Sequence, residues 1–374
     1  MYSLMEQTPF LVFMNLLNYT LIVIGLMSVM LKGGFKSKLN RQFVFILLLL
    51  FVIYPFYSGD FFHYAEGFSV FKKGFTDYKE PVYQFLMDIS PSYSIFRMIV
   101  WGVSYLIFIR IVQNLKIHFD VALLFFSFLY LLYFSYGRVT ASMVIMYLGL
   151  SLITVYPYRH NYVRLIIGFI LVGTSYYFHK TALFGIAVVI VSLLIYNLNR
   201  KRLLLLLLFI PVSLGTIGAF LANIMDMSAV PDSGVIDVFV AQKYMKGEAS
   251  GGFDMGAGIS NFMMRTSFYI FLYIYIYSIF KGKYSQIPCQ IKVFGTAAFL
   301  CVVGASVFAF DFGVNTYVLY YRFLNFAMIP ATIFLSYIYS AGYCGKSLKM
   351  CLLVGVTGSF YTIIYSFYCA YVGK

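Results

Sequence analysis

Long apolar runs recur from one end of the chain to the other, and short polar segments separate them. Many runs approach the roughly 20 residues that a helix needs to cross a bilayer. This pattern predicts an all-α polytopic membrane protein, a single integral membrane domain over 1–374 with about twelve transmembrane helices. We place these spans near 10–31, 42–57, 94–112, 120–136, 139–156, 163–178, 181–198, 203–221, 262–280, 293–310, 322–342 and 350–370.

Composition supports the membrane class. The chain is 62% hydrophobic and 11% charged, whereas a soluble domain carries about 25% charged residues. The net charge of +14 comes from Lys and Arg residues that alternate with the spans instead of forming one basic face. Nucleic acid is therefore not expected as a partner.

Charge is distributed unequally between the two sets of loops. One set holds 16 cations and a single acid, Asp120, and the other holds 11 cations and 12 acids. The positive-inside rule places the first set in the cytoplasm and both termini outside. Basic residues follow the first apolar run and none precedes it, which predicts a retained span and not a cleaved signal peptide.

The acids cluster in two long outward-facing loops, at about 58–93 and 222–261. Asp and Glu contribute little to membrane orientation. Their one-sided distribution therefore needs another reason, and the simplest is that the chemistry of the protein faces outward.

The first long loop carries two motifs. Helical spacing would place Asp60, His63 and Tyr64 on one face, one turn apart. Later in the loop, Glu80 directly precedes Pro81, a residue that suits a first helical turn. The apolar positions that follow predict a short interfacial helix.

The second long loop contains a predicted short helix with Lys243 and Tyr244, followed by the glycine-rich segment 251–258. That segment suits either a moving lid or a solvated linker. Arg265 follows at the mouth of the next span, and Arg322 lies at the outer boundary of a later one.

Further charged groups lie in very short outer connections. Arg138 separates the fourth and fifth spans, and His179 and Lys180 separate the sixth and seventh. Charge at this depth is costly unless it is paired or faces a wet cavity. Lys180 alone could snorkel to the interface, but three such groups favour a shared outer cavity. Arginines at this boundary suit a phosphate-containing headgroup, and the same residues could also line a transport pathway.

Five short motifs occur in a fixed order over roughly residues 40–340. They are Asp60-x-x-His-Tyr64, Glu80-Pro81-x-Tyr83, Arg138-x-x-Ala141, Tyr177-Phe-His-Lys-Thr-Ala-Leu183 and Tyr321-Arg-Phe-Leu-Asn-Phe326. Together they resemble the EpsG-like family of Wzy-type polysaccharide polymerases. The Phe-His-Lys-Thr-Ala-Leu and Arg-Phe segments are the most specific.

The resemblance implies a GT-C-like glycosyltransferase of the bacterial cytoplasmic (inner) membrane whose site faces outward. It implies undecaprenyl-diphosphate-linked oligosaccharides as donor and acceptor, with the growing chain transferred to the non-reducing end of the next unit. The product would be O-antigen, capsule or exopolysaccharide. Neither a metal nor another cofactor is implied, and a chain-length regulator is a further candidate partner.

Within this reading, His179, Asp60 and Glu80 are the candidate catalytic residues. We favour His179 as the base, because the usual pKa of histidine lies near the operating pH and Lys180 is adjacent. The residues expected to bind diphosphate or sugar are Arg138, Lys180, Arg265, Arg322, His63, Tyr64, Tyr83, Lys243 and Tyr244.

Three alternatives stay open. A transporter or flippase of lipid-linked oligosaccharide would suit twelve spans, but transporters often show internal repeats, and none is detected between 1–187 and 188–374. An O-antigen ligase would transfer the finished chain to a lipid A core. A polyprenyl-phosphate-sugar glycosyltransferase would add one sugar, and Asp60 could supply its first-loop carboxylate.

Overall fold

The structure, a computed structural model, describes residues 2–74, 80–159, 162–196, 255–306, 322–343 and 345–372. These residues form helices joined by short connections, and no strand occurs among them. The prediction of an all-α chain is confirmed. The predicted span 203–221 and most of the second long loop lie outside the described residues.

Up to residue 159 the described chain forms helices α1 (Tyr2–Lys32), α2 (Lys38–Ile53), α3 (Gly59–Lys72), α4 (Pro81–Ile89), α5 (Tyr93–Arg97), α6 (Val103–Asn114), α7 (Phe119–Phe125), α8 (Leu131–Tyr136) and α9 (Val139–Arg159). One π-helical turn joins α5 to α6 and another joins α7 to α8. The later described elements are α10 (Tyr162–Thr174), α11 (Ala182–Ile195), α12 (Met255–Phe280), α13 (Cys289–Ser306), α14 (Met328–Ser340) and α15 (Gly345–Val372).

Several of these helices are long and apolar enough to cross a membrane. Four such stretches are Pro9–Lys32, Tyr93–Asn114, Cys289–Ser306 and Lys346–Tyr371, and shorter apolar helices accompany them. Every predicted span other than 203–221 overlaps a described helix. The protein is a helical membrane protein. The total of about twelve spans and the GT-C-like arrangement stay predictions.

The centre of the helical bundle is formed by α7, α8 and α9. Every side chain from residue 120 to residue 135 is buried. Helix α10 approaches α9 closely because Gly149 and Gly168 face each other, and a Cβ on Gly168 would lie 2.8 Å from the Gly149 carbonyl oxygen. Small residues allow such close helix packing in membranes. The opposite side of α10 exposes apolar residues such as Val163 and Ile166, as a lipid-facing surface does.

The single acid of the predicted cytoplasmic loops is buried and paired. Oδ1 of Asp120 lies 2.9 Å from Nε of Arg41, and Oδ2 accepts a hydrogen bond from the Phe35 amide at 3.2 Å. Tyr339, near the end of α14, donates a hydrogen bond to the carbonyl oxygen of Met30, near the end of α1. These contacts join connections that the sequence predicts to lie on one side of the membrane. We call the part of the bundle that contains them the Asp120 end.

A buried arginine joins helix ends on the opposite side. Arg97 is fully buried and donates to the carbonyl oxygens of Ile53 at 2.5 Å, Val52 at 3.0 Å and Ser135 at 2.6 Å. The last carbonyls of a helix lack partners within that helix. Arg97 thus satisfies groups at the ends of both α2 and α8, and its guanidinium lies 3.9 Å from the ring centroid of Trp101.

The first long loop folds into α3 and α4. Helix α3 begins at Gly59, so Asp60, His63 and Tyr64 lie in its first turns as predicted. Helix α4 begins at Pro81 with Glu80 at the N-cap position, which confirms the predicted short helix. Tyr93 at the start of α5 donates to the Phe61 carbonyl oxygen of α3, which ties α3 to α5.

Candidate functional site

Glu80 lies at the centre of a polar cluster. Its side chain does not accept a capping hydrogen bond from α4 although it occupies the N-cap position. Instead, Oε2 lies 3.4 Å from Nη1 of Arg138, and Oε1 lies 3.6 Å from Nε2 of His179. The carboxylate is 13% exposed. The N-cap position therefore places the Glu80 carboxylate, and that carboxylate contacts residues of two other connections, Arg138 and His179.

The electrostatic state of Glu80 follows from these surroundings. Burial raises the pKa of its carboxyl above the ordinary value, and the positive charges of Arg138, Arg322 and Lys180 oppose that shift. Desolvation disfavours the charged form of an acid and nearby cations favour it. The net result is a carboxylate with a greater affinity for a proton than an exposed glutamate has.

Arg138 is the most exposed member of the contacting group, with 29% of its side chain accessible. Burial alone would lower its pKa, but Tyr64, Glu80 and Tyr83 outweigh this effect and the pKa is raised. The guanidinium lies 5.4 Å from the ring centroid of Tyr64. Arg138 is therefore a permanent cation that can offer its free edge to an anionic group.

His179 lies in the connection between α10 and α11 and is buried. Its Nδ1 accepts a hydrogen bond from the Thr181 amide at 3.2 Å and contacts the Thr181 hydroxyl at 2.7 Å. An amide N–H can only donate, so a neutral ring carries its proton on Nε2. That proton faces Glu80. The distance of 3.6 Å is longer than a direct hydrogen bond.

The expectation that His179 titrates near the operating pH is wrong. Burial lowers its pKa, and the charges of Arg138 and Arg322 lower it further, to about 3. Local sequence could not reveal this lowered pKa, because the burial of His179 and the two arginines depend on segments that are distant in the chain. His179 is neutral at physiological pH, and the lone pair of its Nδ1 already accepts the hydrogen bond from the Thr181 amide.

Two more predicted cations lie close to this group. Arg322 acts electrostatically on both Glu80 and His179, and Lys180 acts on Glu80. Three cations thus surround one carboxylate among the described side chains of the cluster. We call Glu80, Arg138, His179, Lys180 and Arg322 the Glu80 cluster. Its excess positive charge suits an anion such as a diphosphate.

Two predicted tyrosines support the Glu80 cluster. Tyr83 on α4 is buried and donates to the carbonyl oxygen of Arg138 at 2.5 Å. Tyr64 on α3 stacks on Trp101 with ring centroids 6.4 Å apart. Tyr83 therefore fixes the backbone that carries Arg138, while Tyr64 presents its ring to the guanidinium. Tyr83 has no open ring face for a sugar because its side chain is buried, whereas Tyr64 is partly exposed.

The remaining predicted site residues are not joined to the cluster by described contacts. His63 is exposed on α3, and its ring centroid lies 6.2 Å from that of Tyr64. Asp60 and Arg265 lie in described helices, but their side chains are outside the described part. Lys243 and Tyr244 belong to the second long loop and lie outside the described residues altogether.

Sequence reasoning missed Asn325 as a site residue although it lies within the Arg-Phe motif. Asn325 is 7% exposed, and among described residues its Oδ1 has no hydrogen-bond partner. A Cβ on Gly137 would lie 3.6 Å from Nδ2 of Asn325, so this amide lies beside the segment that carries Arg138. A polar residue within a predicted span was the available signal.

Within the described ranges, no three His, Cys, Asp or Glu side chains form a group that could hold a metal ion. Comparisons with protein-family models, with curated proteins and with solved structures found no match for this chain. The observations that bear on function are therefore the geometry of the Glu80 cluster and the sequence motifs that supply it.

Proposed function

We propose that this protein is a polysaccharide polymerase, a glycosyltransferase that joins repeat units carried on undecaprenyl diphosphate. The observation that carries the proposal is the Glu80 cluster, in which a partly buried carboxylate with a raised pKa lies among three cations. A base beside a cationic anion site is what transfer from a diphosphate leaving group needs. The motif order that resembles EpsG-like polymerases supports the same reaction class.

In the proposed step, the terminal hydroxyl of the acceptor unit attacks the anomeric carbon of the donor chain. A new glycosidic C–O bond forms, and the C–O bond to the lipid diphosphate breaks. Glu80 accepts the hydroxyl proton, since its carboxylate is the strongest described base of the cluster. Arg138, Arg322 and Lys180 stabilise the negative charge that grows on the leaving undecaprenyl diphosphate.

His179 acts as a positioning residue in this scheme, in place of the base role that its residue type first suggested. Its Nε2–H faces Oε1 of Glu80 at 3.6 Å and can orient that oxygen. Hydrogen bonds at catalytic sites are often long without substrate and shorten when it binds. The neutral ring adds no positive charge that would reduce the basicity of Glu80.

The membrane setting agrees with a lipid-linked substrate. The cluster lies in connections between apolar helices, at the end of the bundle opposite Asp120. The positive-inside rule predicts that this end faces outward from a bacterial inner membrane. A lipid diphosphate held at that boundary would place its sugar in water and its polyprenyl chain among the helices.

The proposal is tested on the surface polysaccharide of a deletion strain complemented with wild type, Arg322→Ala or Lys73→Gln. Lys73 is an exposed cation on the same end of the bundle and is the matched control. We expect a ladder of chain lengths with wild type and Lys73→Gln, and single repeat units with Arg322→Ala. Complete loss of attached sugar in the deletion strain would instead indicate a ligase or a flippase. An unchanged ladder would contradict the proposal for that polysaccharide.

A further inference from the structure

A second basic site lies at the Asp120 end of the bundle, away from the Glu80 cluster. A cavity of about 210 Å³ opens between α6 and α10, with α9 as its floor. The lining residues are Arg110, Gln113, Asn114, Lys116, Leu152, Val155 and Arg164. Three of them are cations and none is acidic. We call this cavity the Lys116 groove.

The backbone at Lys116 is unusual for a residue with a side chain. Lys116 has φ 54°, the only positive φ of a non-glycine residue in the described chain. The Lys116 amide donates to the carbonyl oxygen of Gln113, and the Ile117 amide donates to the carbonyl oxygen of Val112. These two hydrogen bonds form a Schellman motif at the end of α6. Glycine is the usual residue at this position because L side chains are disfavoured there. A lysine at this position carries a conformational cost, and its side chain lines the groove.

The surroundings of the groove are apolar and exposed. Leu106 lies one helical turn before Arg110 on α6 and is 49% exposed. On α10, Val163 and Ile167 flank Arg164 and are 64% and 43% exposed. In a membrane protein these side chains face lipid. The groove therefore lies where a bilayer's headgroups meet the acyl chains that cover α6 and α10.

From this placement we infer that the Lys116 groove binds the phosphate of an anionic glycerophospholipid, with the acyl chains along α6 and α10. The groove is smaller than the roughly 300–1,000 Å³ of pockets that enclose whole ligands, so it suits a phosphate group whose remainder lies outside. Basic pockets between transmembrane helices are known to hold such headgroups. Gln113 adds an amide donor for the phosphate oxygens. Nδ2 of Asn114 donates one hydrogen to Oγ of Ser151 at 3.1 Å, which fixes this amide at the wall of the groove.

The site is distinct from the Glu80 cluster. Helix α9 runs from Val139, next to Arg138, to the groove residue Val155. The sixteen helical rises between these two residues span about 24 Å. The inference therefore does not rest on the proposed polymerase reaction, and it can fail or hold independently of that reaction.

The test uses the purified full-length protein in nanodiscs of phosphatidylcholine that contain a small fraction of spin-labelled phosphatidylglycerol. We expect a motionally restricted lipid component that saturates, and a roughly fivefold weaker affinity for each cation removed. The variants are Arg110→Gln and Lys116→Gly. Lys116→Gly removes the charge and relieves the backbone strain, so weaker binding by this variant cannot come from unfolding. Lys36→Gln, an exposed cation of the same end outside the groove, is the matched control.

Wild-type affinity in Lys116→Gly would overturn the inference, because the groove cation would then contribute nothing to binding. An equal loss of affinity in Lys116→Gly and Lys36→Gln would also overturn it, because binding would then follow general surface charge. A second arm adds inorganic phosphate. Displacement of the labelled lipid by millimolar phosphate, lost in Lys116→Gly, would assign the groove to a soluble anion and contradict the lipid assignment. Persistence of the restricted component in phosphate would support the lipid.

Discussion

Oε2 of Glu80 lies 3.4 Å from Nη1 of Arg138, although 58 positions separate these residues in the chain. The contact joins the N-cap of α4 to the connection that precedes α9. His179 adds a third connection, so three segments that are distant in the chain meet at one carboxylate. This meeting places a base beside fixed positive charge, and the functional proposal depends on it.

Arg138→Gln should reduce polymerisation by roughly 10²-fold, the usual effect of removing one group that stabilises developing charge. The reason is that its guanidinium is the most accessible cation in direct contact with Glu80. Initial rates of chain extension by the purified protein measure the effect. Lys73→Gln should retain the wild-type rate, and an Arg138→Gln rate within about twofold of wild type would exclude this role.

The rate should fall on the acid side at a higher pH than an ordinary glutamate would cause. Burial raises the pKa of Glu80, and only its ionised form can accept a proton. Activity is therefore present above this raised pKa and is lost as pH falls through it, above the usual value of about 4.3. A profile of kcat/KM against pH gives the midpoint.

His179→Gln should show the same loss of kcat/KM at low pH as wild type, because the pKa of His179 is about 3 and its protonation does not limit activity. If the acid-side loss of kcat/KM disappears in His179→Gln, the histidine is the catalytic base. A reduced rate with an unchanged midpoint is the outcome that a positioning residue predicts.

The same histidine should make stability depend on pH. Its folded pKa of about 3 lies below the unfolded value of about 6.5. The free energy of unfolding is therefore highest above the pKa of the unfolded state and decreases as the pH falls toward the pKa of the folded state. Between about pH 6.5 and about pH 5 the loss is roughly 1.5 kcal/mol. Thermal unfolding in detergent should show a smaller acid-side decrease for His179→Gln than for wild type, and parallel decreases would refute this.

Arg97→Met should destabilise the protein by about 3 kcal/mol. The substitution leaves the carbonyl oxygens of Val52, Ile53 and Ser135 without this donor, and an unsatisfied buried group costs about 1–3 kcal/mol. Thermal unfolding of the purified protein measures the loss, with Lys36→Met as an exposed control. A change in Tm no larger than that of the control would show that Arg97 does not hold these helix ends together.

The short helix beside the site followed from local sequence, and the contacts of the site did not. Pro81 predicted where α4 begins, because this signal is local. The pairing of Glu80 with Arg138 depends on where α4 lies relative to the connection between α8 and α9. An N-cap carboxylate is most simply read as a cap, so its actual partners could not be derived from the sequence.

Arg97 shows a second limit of sequence reasoning. It falls within an apolar span, and a charged residue there signals a functional or structural role. Its partners are backbone carbonyls at the ends of α2 and α8. No side-chain type in those segments marks them as partners, so only the packed helices reveal what the arginine does.

The most direct test of the central claim is extension of a lipid-diphosphate-linked repeat unit by purified protein in nanodiscs. Wild type is compared with Glu80→Gln and with Glu66→Gln, an exposed carboxylate on α3. We predict that wild type and Glu66→Gln form dimeric and longer chains with release of undecaprenyl diphosphate. Glu80→Gln should be slower by about 10²-fold or more. Equal extension by Glu80→Gln, or movement of the lipid-linked unit across the bilayer without extension by wild type, would contradict the account.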